Sequence, residues 1–196
     1  MNTLKVERRN MQTKAKRLRR EGFVTGNVFG RELESSIPVQ MTRKDAEELI
    51  KTSHKGSQVM MELDGKERDV LIKEIDYDAT KRQILEIDFQ LLVAGEMVHS
   101  VAEVVLLNHE KVLEGIIDLN LSEIEYKATP DALVEKVEID LAGMKPGAEI
   151  LVKDLPIASD KNIVLHTDVN ECVVRIVEPH MAAISDEEDE EEATED

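Results

Sequence analysis

Apolar and polar positions alternate along most of the first half of the chain, a pattern typical of β-strands with one buried and one solvated face. Two of the alternating runs are joined by Asp64-Gly65, a dipeptide that favours the tight turn of a hairpin. The pattern therefore predicts roughly five or six strands in this half. They lie in LKVERR, FVTGNVFG (broken at Gly26), SIPVQMT, the hairpin SQVMMELDGKERDVLIKEIDYD, and TKRQILEIDFQLLV.

Two segments of this half follow a helical period instead. TRKDAEELIKTSHKGS is the clearer one, because Thr42 can cap its first turn, acidic residues follow early and a glycine can end it. NMQTKAKRLRREG predicts a second, shorter helix, with Asn10 or Thr13 as its cap and a glycine at its end. Helical spacing puts its basic side chains on neighbouring turns around a small apolar anchor.

The second half of the chain also alternates and predicts a domain that is almost entirely β. Two strands flank the turn at Lys145-Pro146-Gly147, and a hairpin is expected over Asp168–Asn170. From Ser185 onward the apolar pattern ends and nine of the last eleven residues are acidic, which is typical of disorder. We therefore predict a first domain at 1–93, a second β-rich domain at 94–180 and a disordered acidic tail at 181–196.

Charge is distributed unevenly over the chain, whose formal net charge is -17. Residues 1–100 sum to +1, while residues 101–180 and 181–196 each sum to -9. Such asymmetry indicates an N-terminal segment that binds a polyanion and an acidic C-terminal part. The ordinary alternative is a solvated charged face, which is the favoured interpretation for an arbitrary protein. The basic residues of this N-terminal segment are Lys5, Arg8, Arg9, Lys14, Lys16, Arg17, Arg19 and Arg20.

Composition and cysteine usage exclude several classes of protein. No apolar run approaches the roughly 20 residues that cross a bilayer, and the basic N-terminus lacks the apolar segment of a signal peptide. Cys172 is the single cysteine, so no internal disulfide can form, which suits a reducing cytosol. We expect a soluble cytoplasmic protein in which Cys172 is a small core residue of a strand.

No motif of catalysis, metal binding or cofactor binding stands out. The five histidines are scattered without partners at metal-ligand spacing, and no Gly-rich phosphate loop or nucleophile motif is present. We therefore predict neither an enzyme nor a protein with a cofactor, metal or small-molecule substrate. An acidic cluster on two predicted strands keeps a hydrolase or a divalent-cation site as remote alternatives to a solvated sheet face. Its members are Asp76, Asp78, Glu86 and Asp88.

Several motifs, in order along the chain, resemble one family. The basic K-x-x-R-L-R-R-E-G at 14–22, followed by V-x-x-x-V-F-G at 24–30, resembles the N-terminal signature of the twenty-fifth large-subunit ribosomal protein of bacteria, in its long general-stress (Ctc) form. DVLIKEIDYD, ILEIDF and VEIDLAGMKPGAEILVKDLPI resemble later stretches of that family, and the acidic tail suits the long form. The resemblance implies an N-terminal six-stranded β-barrel with short helices that binds 5S ribosomal RNA, followed by a second β domain.

The resemblance also implies which residues face the RNA. Phe29 stands where the family usually has tyrosine, and Asp88 matches the aspartate of the second strand motif. Glu86 stands where the family usually has histidine, Asp78 where it often has histidine, and Thr25-Gly26 replaces a usual Pro-Ala. The candidate RNA-binding residues, including the two arginines that precede the basic helix, are Arg8, Arg9, Lys14, Lys16, Arg17, Arg19, Arg20, Phe29 and Asp88.

These observations predict a structural constituent of the large ribosomal subunit in the cytoplasm. Its partners would be 5S rRNA and large-subunit proteins, and Arg and Lys side chains would bind the RNA phosphates. We expect no binding to a membrane. Because aromatic residues make up only 3%, stacking on single strands is disfavoured. The alternative is a ribosome-associated stress protein or protein-interaction module of the same fold with weakened RNA binding, since Glu86 and Asp78 repel phosphate. The acidic tail is a solubilising extension, or it folds back on the basic segment and competes with RNA.

Overall fold

The computed structural model describes residues 3–112 and 115–178 and is mainly β, as predicted. Its first part is a closed barrel of six strands with two short helices, and its second part contains two further sheets. Each part encloses its own cluster of buried apolar side chains. The tail predicted at 181–196 lies outside the described residues. Within the described ranges, no helix is long and apolar enough to cross a membrane.

The barrel uses all six strands of the first part. They are β1 (Leu4–Arg8), β2 (Phe23–Phe29), β3 (Ile37–Thr42), β4 (Gln58–Leu63), β5 (Lys66–Asp78) and β6 (Gln83–Leu91). Their order is β1-β3-β2-β6-β5-β4, and the barrel closes because β1 pairs antiparallel with β3 and parallel with β4. The hairpin predicted at Asp64-Gly65 is confirmed, since β4 and β5 pair antiparallel across it.

The interior of the barrel is packed mainly with Val, Ile, Leu and Met, with Phe89 as its largest fully buried side chain. β2 runs through Gly26 without interruption, and Gly26 pairs with Val39 of β3. The expectation that this glycine breaks the strand is therefore wrong. A Cβ at Gly26 would overlap the carbonyl oxygen of Ile87 on β6, so the glycine allows the two strands to approach closely.

Two short helices lie outside the barrel strands: α1 (Ala15–Arg20) and α2 (Arg43–Thr52). The predicted cap of α2 is confirmed, because the Thr42 hydroxyl accepts a hydrogen bond from the Asp45 amide at 3.2 Å. Neither cap expected for α1 is present: Lys14 occupies the N-cap position and makes no side-chain capping bond. Asn10 instead forms a turn ahead of the helix, where its Oδ1 accepts from the Gln12 amide at 2.9 Å.

The pairing of β5 with β6 contains two β-bulges, each of which adds one unpaired residue to one strand. Lys73 is the extra residue on β5, between the pairs Ile72–Phe89 and Glu74–Asp88. Leu85 is the extra residue on β6, opposite the step from Asp76 to Tyr77. Both bulged residues make contacts outside the barrel sheet, as described below.

Among its described residues, the second part has seven further strands in two sheets. They are β7 (Val98–Leu107), β8 (Ile116–Leu119), β9 (Glu123–Ala128), β10 (Lys136–Asp140), β11 (Glu149–Leu151), β12 (Ile163–Leu165) and β13 (Cys172–Val177). One sheet has the order β10-β7-β9-β12 and the other β11-β13-β8. Tyr126 is fully buried between them in the core cluster, and its hydroxyl donates to the Val134 carbonyl and accepts from the Val134 amide, both at 2.8 Å.

The hairpin expected over Asp168–Asn170 is wrong. β12 pairs antiparallel with β9, whereas β13 pairs with β11 and β8 in the other sheet. The turn chemistry is present, since Asp168 Oδ1 accepts from the Asn170 amide at 2.9 Å, but this turn carries the chain from one sheet to the other. Cys172 is half-buried at the start of β13.

Several contacts join the barrel to the second part. The Lys73 ammonium, on the bulge of β5, donates to the His99 carbonyl of β7 at 2.9 Å, and burial lowers its pKa. Lys55 and Glu123 form an ion pair at 2.9 Å. A Cβ at Gly56 would overlap the carbonyl oxygen of Val101. Between these contacts lies a cavity of about 660 Å³ that is lined by residues of both parts.

Candidate nucleic-acid interface

Helix α1 presents the basic segment on the outside of the barrel. Leu18 is the buried residue of this helix, at 6% exposure, and it anchors α1 against the barrel. The helix contains Lys16, Arg17, Arg19 and Arg20, and carries no acidic residue in its first turn. The helix has six residues, which is about one and a half turns at 3.6 residues per turn, so these cations lie close together.

Besides Arg17, three cations at 14–20 are exposed: Lys14, Lys16 and Arg20. None of the three has an ion-pair partner in the part of the chain that the structure describes. Arg17 differs, because its Nε donates to Glu21 Oε1 at 2.8 Å, one helical turn away, and the Glu21 carboxylate raises the pKa of Arg17. Lys14, Lys16 and Arg20 are therefore the cations whose charge is least compensated locally.

The two arginines at the end of β1 are both engaged with the protein. Arg8 Nε donates to Asp64 Oδ2 at 2.7 Å, in the turn between β4 and β5. Arg9 Nη2 donates to the Thr13 carbonyl at 3.3 Å, ahead of α1. The structure thus gives Arg8 a carboxylate partner and gives Arg9 a backbone contact that orders the segment leading into the helix.

Arg19 faces the barrel rather than solvent. It is half-buried, and its Nε donates to the Leu85 carbonyl at 3.1 Å, which also accepts from Thr25 Oγ1 at 3.4 Å. Leu85 is the bulged residue of β6 described above. The bulge thus provides the acceptor that holds Arg19.

Arg43 belongs to the same site, although it is not among the predicted RNA-binding residues. Its Nη2 donates to the Arg19 carbonyl at 2.8 Å, and its backbone N–H donates to the Gly22 carbonyl at 2.8 Å. Arg43 is the first residue of α2, where a positive charge opposes the helix dipole. An arginine at this unfavourable position is the sequence signal that could have indicated a contact between Arg43 and a residue outside α2.

Next to α1, the outer faces of β5 and β6 carry an acidic floor, which we define as Glu74, Asp76, Glu86 and Asp88. These carboxylates border a depression of about 200 Å³. Cross-strand pairing brings them together, with Glu74 opposite Asp88 and Asp76 opposite Glu86. No cluster able to hold a metal ion occurs within residues 3–112 and 115–178.

Asn27 of β2 is hydrogen-bonded to the edge of the acidic floor. Asp88 Oδ1 accepts from the Asn27 backbone amide at 2.9 Å and from its Nδ2 at 3.1 Å, and Glu86 Oε1 accepts from the same Nδ2 at 3.2 Å. One oxygen of Asp88 is therefore committed to holding β2 against β6. Asn27 and Glu74 are two further residues of this surface that were not predicted from the sequence.

Asp78 lies apart from the acidic floor, so the predicted cluster is corrected to contain Glu74 in its place. Asp78 accepts from the Lys81 backbone amide at 3.0 Å and from the Lys81 ammonium at 3.0 Å. These two contacts, the backbone one foremost, lower the pKa of Asp78. Asp78 therefore stabilises the turn between β5 and β6.

Phe29 is half-buried at the far end of β2 and pairs with Gln90 of β6. It shares the outer face of the strand with Thr25 and Asn27, because side chains alternate along a strand. The strand rise separates Phe29 from Thr25, which lies beside α1, by about 13 Å. The helix cations, Asn27 and Phe29 thus lie along one continuous side of the barrel, with the acidic floor beside them.

Comparison with known proteins agrees with this architecture. Residues 4–89 match the family model described as the ribosomal L25p family, and residues 96–180 match that described as the C-terminal domain of ribosomal protein TL5. The chain is 30% identical to the large ribosomal subunit protein bL25 of Exiguobacterium sibiricum, over 92% of this chain and 81% of that protein. It is 30% identical to the bL25 protein of Enterococcus faecalis, over 98% of this chain and 96% of that protein. Both matches extend across the barrel and the second part, and the chain therefore belongs to the bL25 family of bacterial ribosomal proteins.

Proposed function

We propose that this protein is a structural constituent of the large ribosomal subunit and that it binds 5S rRNA through α1 and the adjoining side of β2 and β6. The observation that carries the proposal is the group of uncompensated cations, Lys14, Lys16 and Arg20, on a short helix fixed to a rigid barrel. In a chain with a net charge of -17, a concentrated positive surface of this kind requires an anionic partner to be useful. The names of the relatives make a ribosomal RNA the natural candidate.

The mechanism is the neutralisation of phosphates by side chains that the fold has already ordered. Each phosphate that Lys or Arg neutralises releases condensed counterions, and this release drives binding. Double-stranded RNA presents its phosphates and 2′-hydroxyls along a wide, shallow minor groove, which can be recognised by shape. A single projecting helix beside a flat strand surface suits such a groove and needs no aromatic stacking platform.

The acidic floor restricts how the RNA can lie. Carboxylates repel phosphates, so the backbone of the RNA has to pass over α1 and avoid Glu86 and Asp88. Carboxylate oxygens accept hydrogen bonds, which makes 2′-hydroxyls and base amino groups the RNA groups that fit near the floor. Because Asp88 is bonded to Asn27 through one oxygen, its other oxygen is the one suited to an RNA donor. The proposed contacts thus separate phosphates from sugar and base edges.

A salt titration of 5S rRNA binding by the full chain tests this proposal. Replacing Lys14, Lys16 and Arg20 by alanine is expected to reduce the slope of log K against log salt by about 3, because roughly one counterion is released per contact. The matched control replaces three exposed lysines of the second part, Lys145, Lys153 and Lys161. It should leave the slope unchanged. Equal slopes for the two triple variants would contradict the proposed surface.

The second candidate is a ribosome-associated protein of the general-stress (Ctc) type whose RNA binding is weakened and whose second part binds other proteins. The acidic floor favours it, since four carboxylates lie where phosphates would approach. The same titration separates the candidates. Tight binding with a steep salt slope supports the first, whereas weak binding of 5S rRNA with a flat slope supports the second.

A further inference from the structure

Helix α1 cannot hold its own shape. It has six residues, whereas isolated helices shorter than about 12 residues are marginal in water. Its N-cap residue, Lys14, contributes no side-chain capping bond, and Leu18 is its buried residue. Contacts with the rest of the barrel must therefore set the orientation of the helix.

The first such contact starts at the bulge of β6. A bulge leaves one residue out of the regular strand pairing, and here that residue is Leu85. Its carbonyl turns toward α1 and accepts from Arg19 Nε at 3.1 Å and from the buried Thr25 hydroxyl at 3.4 Å. Arg19 is thereby connected to β6 through its side chain, which fixes the rotation of α1 about its axis.

The second contact starts at α2 and uses the backbone of α1. Arg43 Nη2 donates to the Arg19 carbonyl at 2.8 Å, and the Arg43 amide donates to the Gly22 carbonyl at 2.8 Å. The last carbonyls of a helix have no partner within it, and a cation there is favourable with respect to the helix dipole. Arg43 thus satisfies the C-terminal end of α1 while it occupies the first, unfavourable turn of α2.

We infer that Arg43 is a positioning residue for the RNA-binding segment: through Arg19 it links α2 to α1, and through Arg19 and Leu85 it links α1 to the bulge of β6. In this arrangement Arg43 and Arg19 set where the helix cations lie, while Lys14, Lys16 and Arg20 contact phosphate. The role of Arg43 in orienting α1 does not depend on RNA, whereas its effect on RNA binding rests on the proposed function.

The test compares Arg43→Ala and Arg43→Lys in the full chain, with Lys44→Ala as the control. Lys44 is exposed on the same turn of α2 and has no ion-pair partner among the described residues, so its loss removes one charge without removing a contact to α1. Two quantities are measured: amide hydrogen exchange of α1 without RNA, and 5S rRNA affinity with its salt slope. Exchange of the core amide of Phe89 reports whether the barrel itself remains folded.

Arg43→Ala is expected to speed exchange of the α1 amides and to weaken RNA affinity, each by about tenfold, which corresponds to losing one charge-assisted hydrogen bond. The salt slope should not change, because no phosphate contact is lost. Arg43→Lys keeps a donor and a charge and should recover part of both losses, so affinity follows helix order across the variants. Lys44→Ala should keep the exchange rates of the parent chain.

Other outcomes overturn the inference. A salt slope that falls by about 1 in Arg43→Ala, with unchanged α1 exchange, would make Arg43 a phosphate ligand. Unchanged exchange with unchanged affinity would deny it any role in the segment. If Arg43→Ala also speeds exchange of the Phe89 amide, the Arg43→Lys variant decides. Faster exchange of the α1 amides with unchanged exchange of the Phe89 amide in that variant supports the inference. Faster exchange of the Phe89 amide with unchanged exchange of the α1 amides refutes it. Absence of 5S rRNA binding by the parent chain would defeat the proposed function, while the exchange data alone would still decide whether Arg43 positions α1.

Discussion

Lys16 and Arg19 lie three residues apart on the same short helix, yet their charged groups have different surroundings. Lys16 is exposed, whereas Arg19 is half-buried and bonded to the Leu85 carbonyl. Local charge density predicted both as phosphate ligands, because nothing near them in the sequence indicates which barrel carbonyl lacks a partner. The bulge of β6 made that distinction, and a bulge depends on the pairing of strands that are distant in sequence.

Asp78 gives a prediction at the level of a single ionisable group. Its contacts with Lys81 lower its folded-state pKa, so they stabilise the fold above the unfolded-state pKa, and this contribution is lost as pH falls through the folded-state pKa. An NMR titration of the Asp78 carboxyl should show a midpoint below that of an unstructured aspartate. Lys81→Met should remove only part of the difference, because the backbone N–H, the largest cause, remains. A midpoint that rises fully to the ordinary value in this variant would contradict the assignment.

At the scale of elements, the sequence was most reliable where neighbouring residues decide the structure. The cap at Thr42 and the turn at Asp64-Gly65 depend on contacts within a few residues, and both were predicted correctly. The turn at Asp168–Asn170 also formed, but the hairpin did not, because β12 and β13 pair with strands of different sheets. Turn residues can reverse the direction of the chain locally. Which strands then pair depends on how the apolar faces of the whole domain are buried.

Gly26 provides a prediction for the contact between two elements. Because a Cβ there would overlap the Ile87 carbonyl, Gly26→Ala should force β2 away from β6 and lower the free energy of unfolding by at least about 2 kcal/mol. The control is Gly65→Ala, which meets open space and carries only the strain of a φ of 72°, about 1 kcal/mol. Urea denaturation of both variants measures the difference. A smaller loss for Gly26→Ala than for Gly65→Ala would contradict the close approach.

At the scale of the whole molecule, family membership settles the class of protein. The chain is a member of a family of ribosomal proteins, which confirms the predictions of a cytoplasmic location and of a protein that is not an enzyme. The two parts have separate cores and meet through a few polar contacts, such as Lys73 with the His99 carbonyl. The β5 bulge at Lys73 thus supplies one of the contacts that join the two parts.

The acidic tail gives the prediction at this scale. We expect a chain ending at residue 180 to bind 5S rRNA within about twofold of the full chain at physiological salt, because charges more than about 8 Å apart are screened there. This outcome corresponds to a solubilising tail. The measurement is the same salt titration applied to both chains. A tenfold gain in affinity at low salt on removal of the nine acidic residues would instead support competition between the tail and RNA.

The sequence by itself determined the β-rich class, the positions of most strands, the two helices and the concentration of positive charge near the N-terminus, because these follow from periodicity, capping and composition over short windows. The tertiary structure alone decided how β1 closes the barrel, where β6 bulges, and how four carboxylates from β5 and β6 meet beside the basic helix. It also decided that Arg43 reaches α1 from another helix. These features join residues up to 66 positions apart, as in the bond from Arg19 to Leu85, and no local pattern records such contacts.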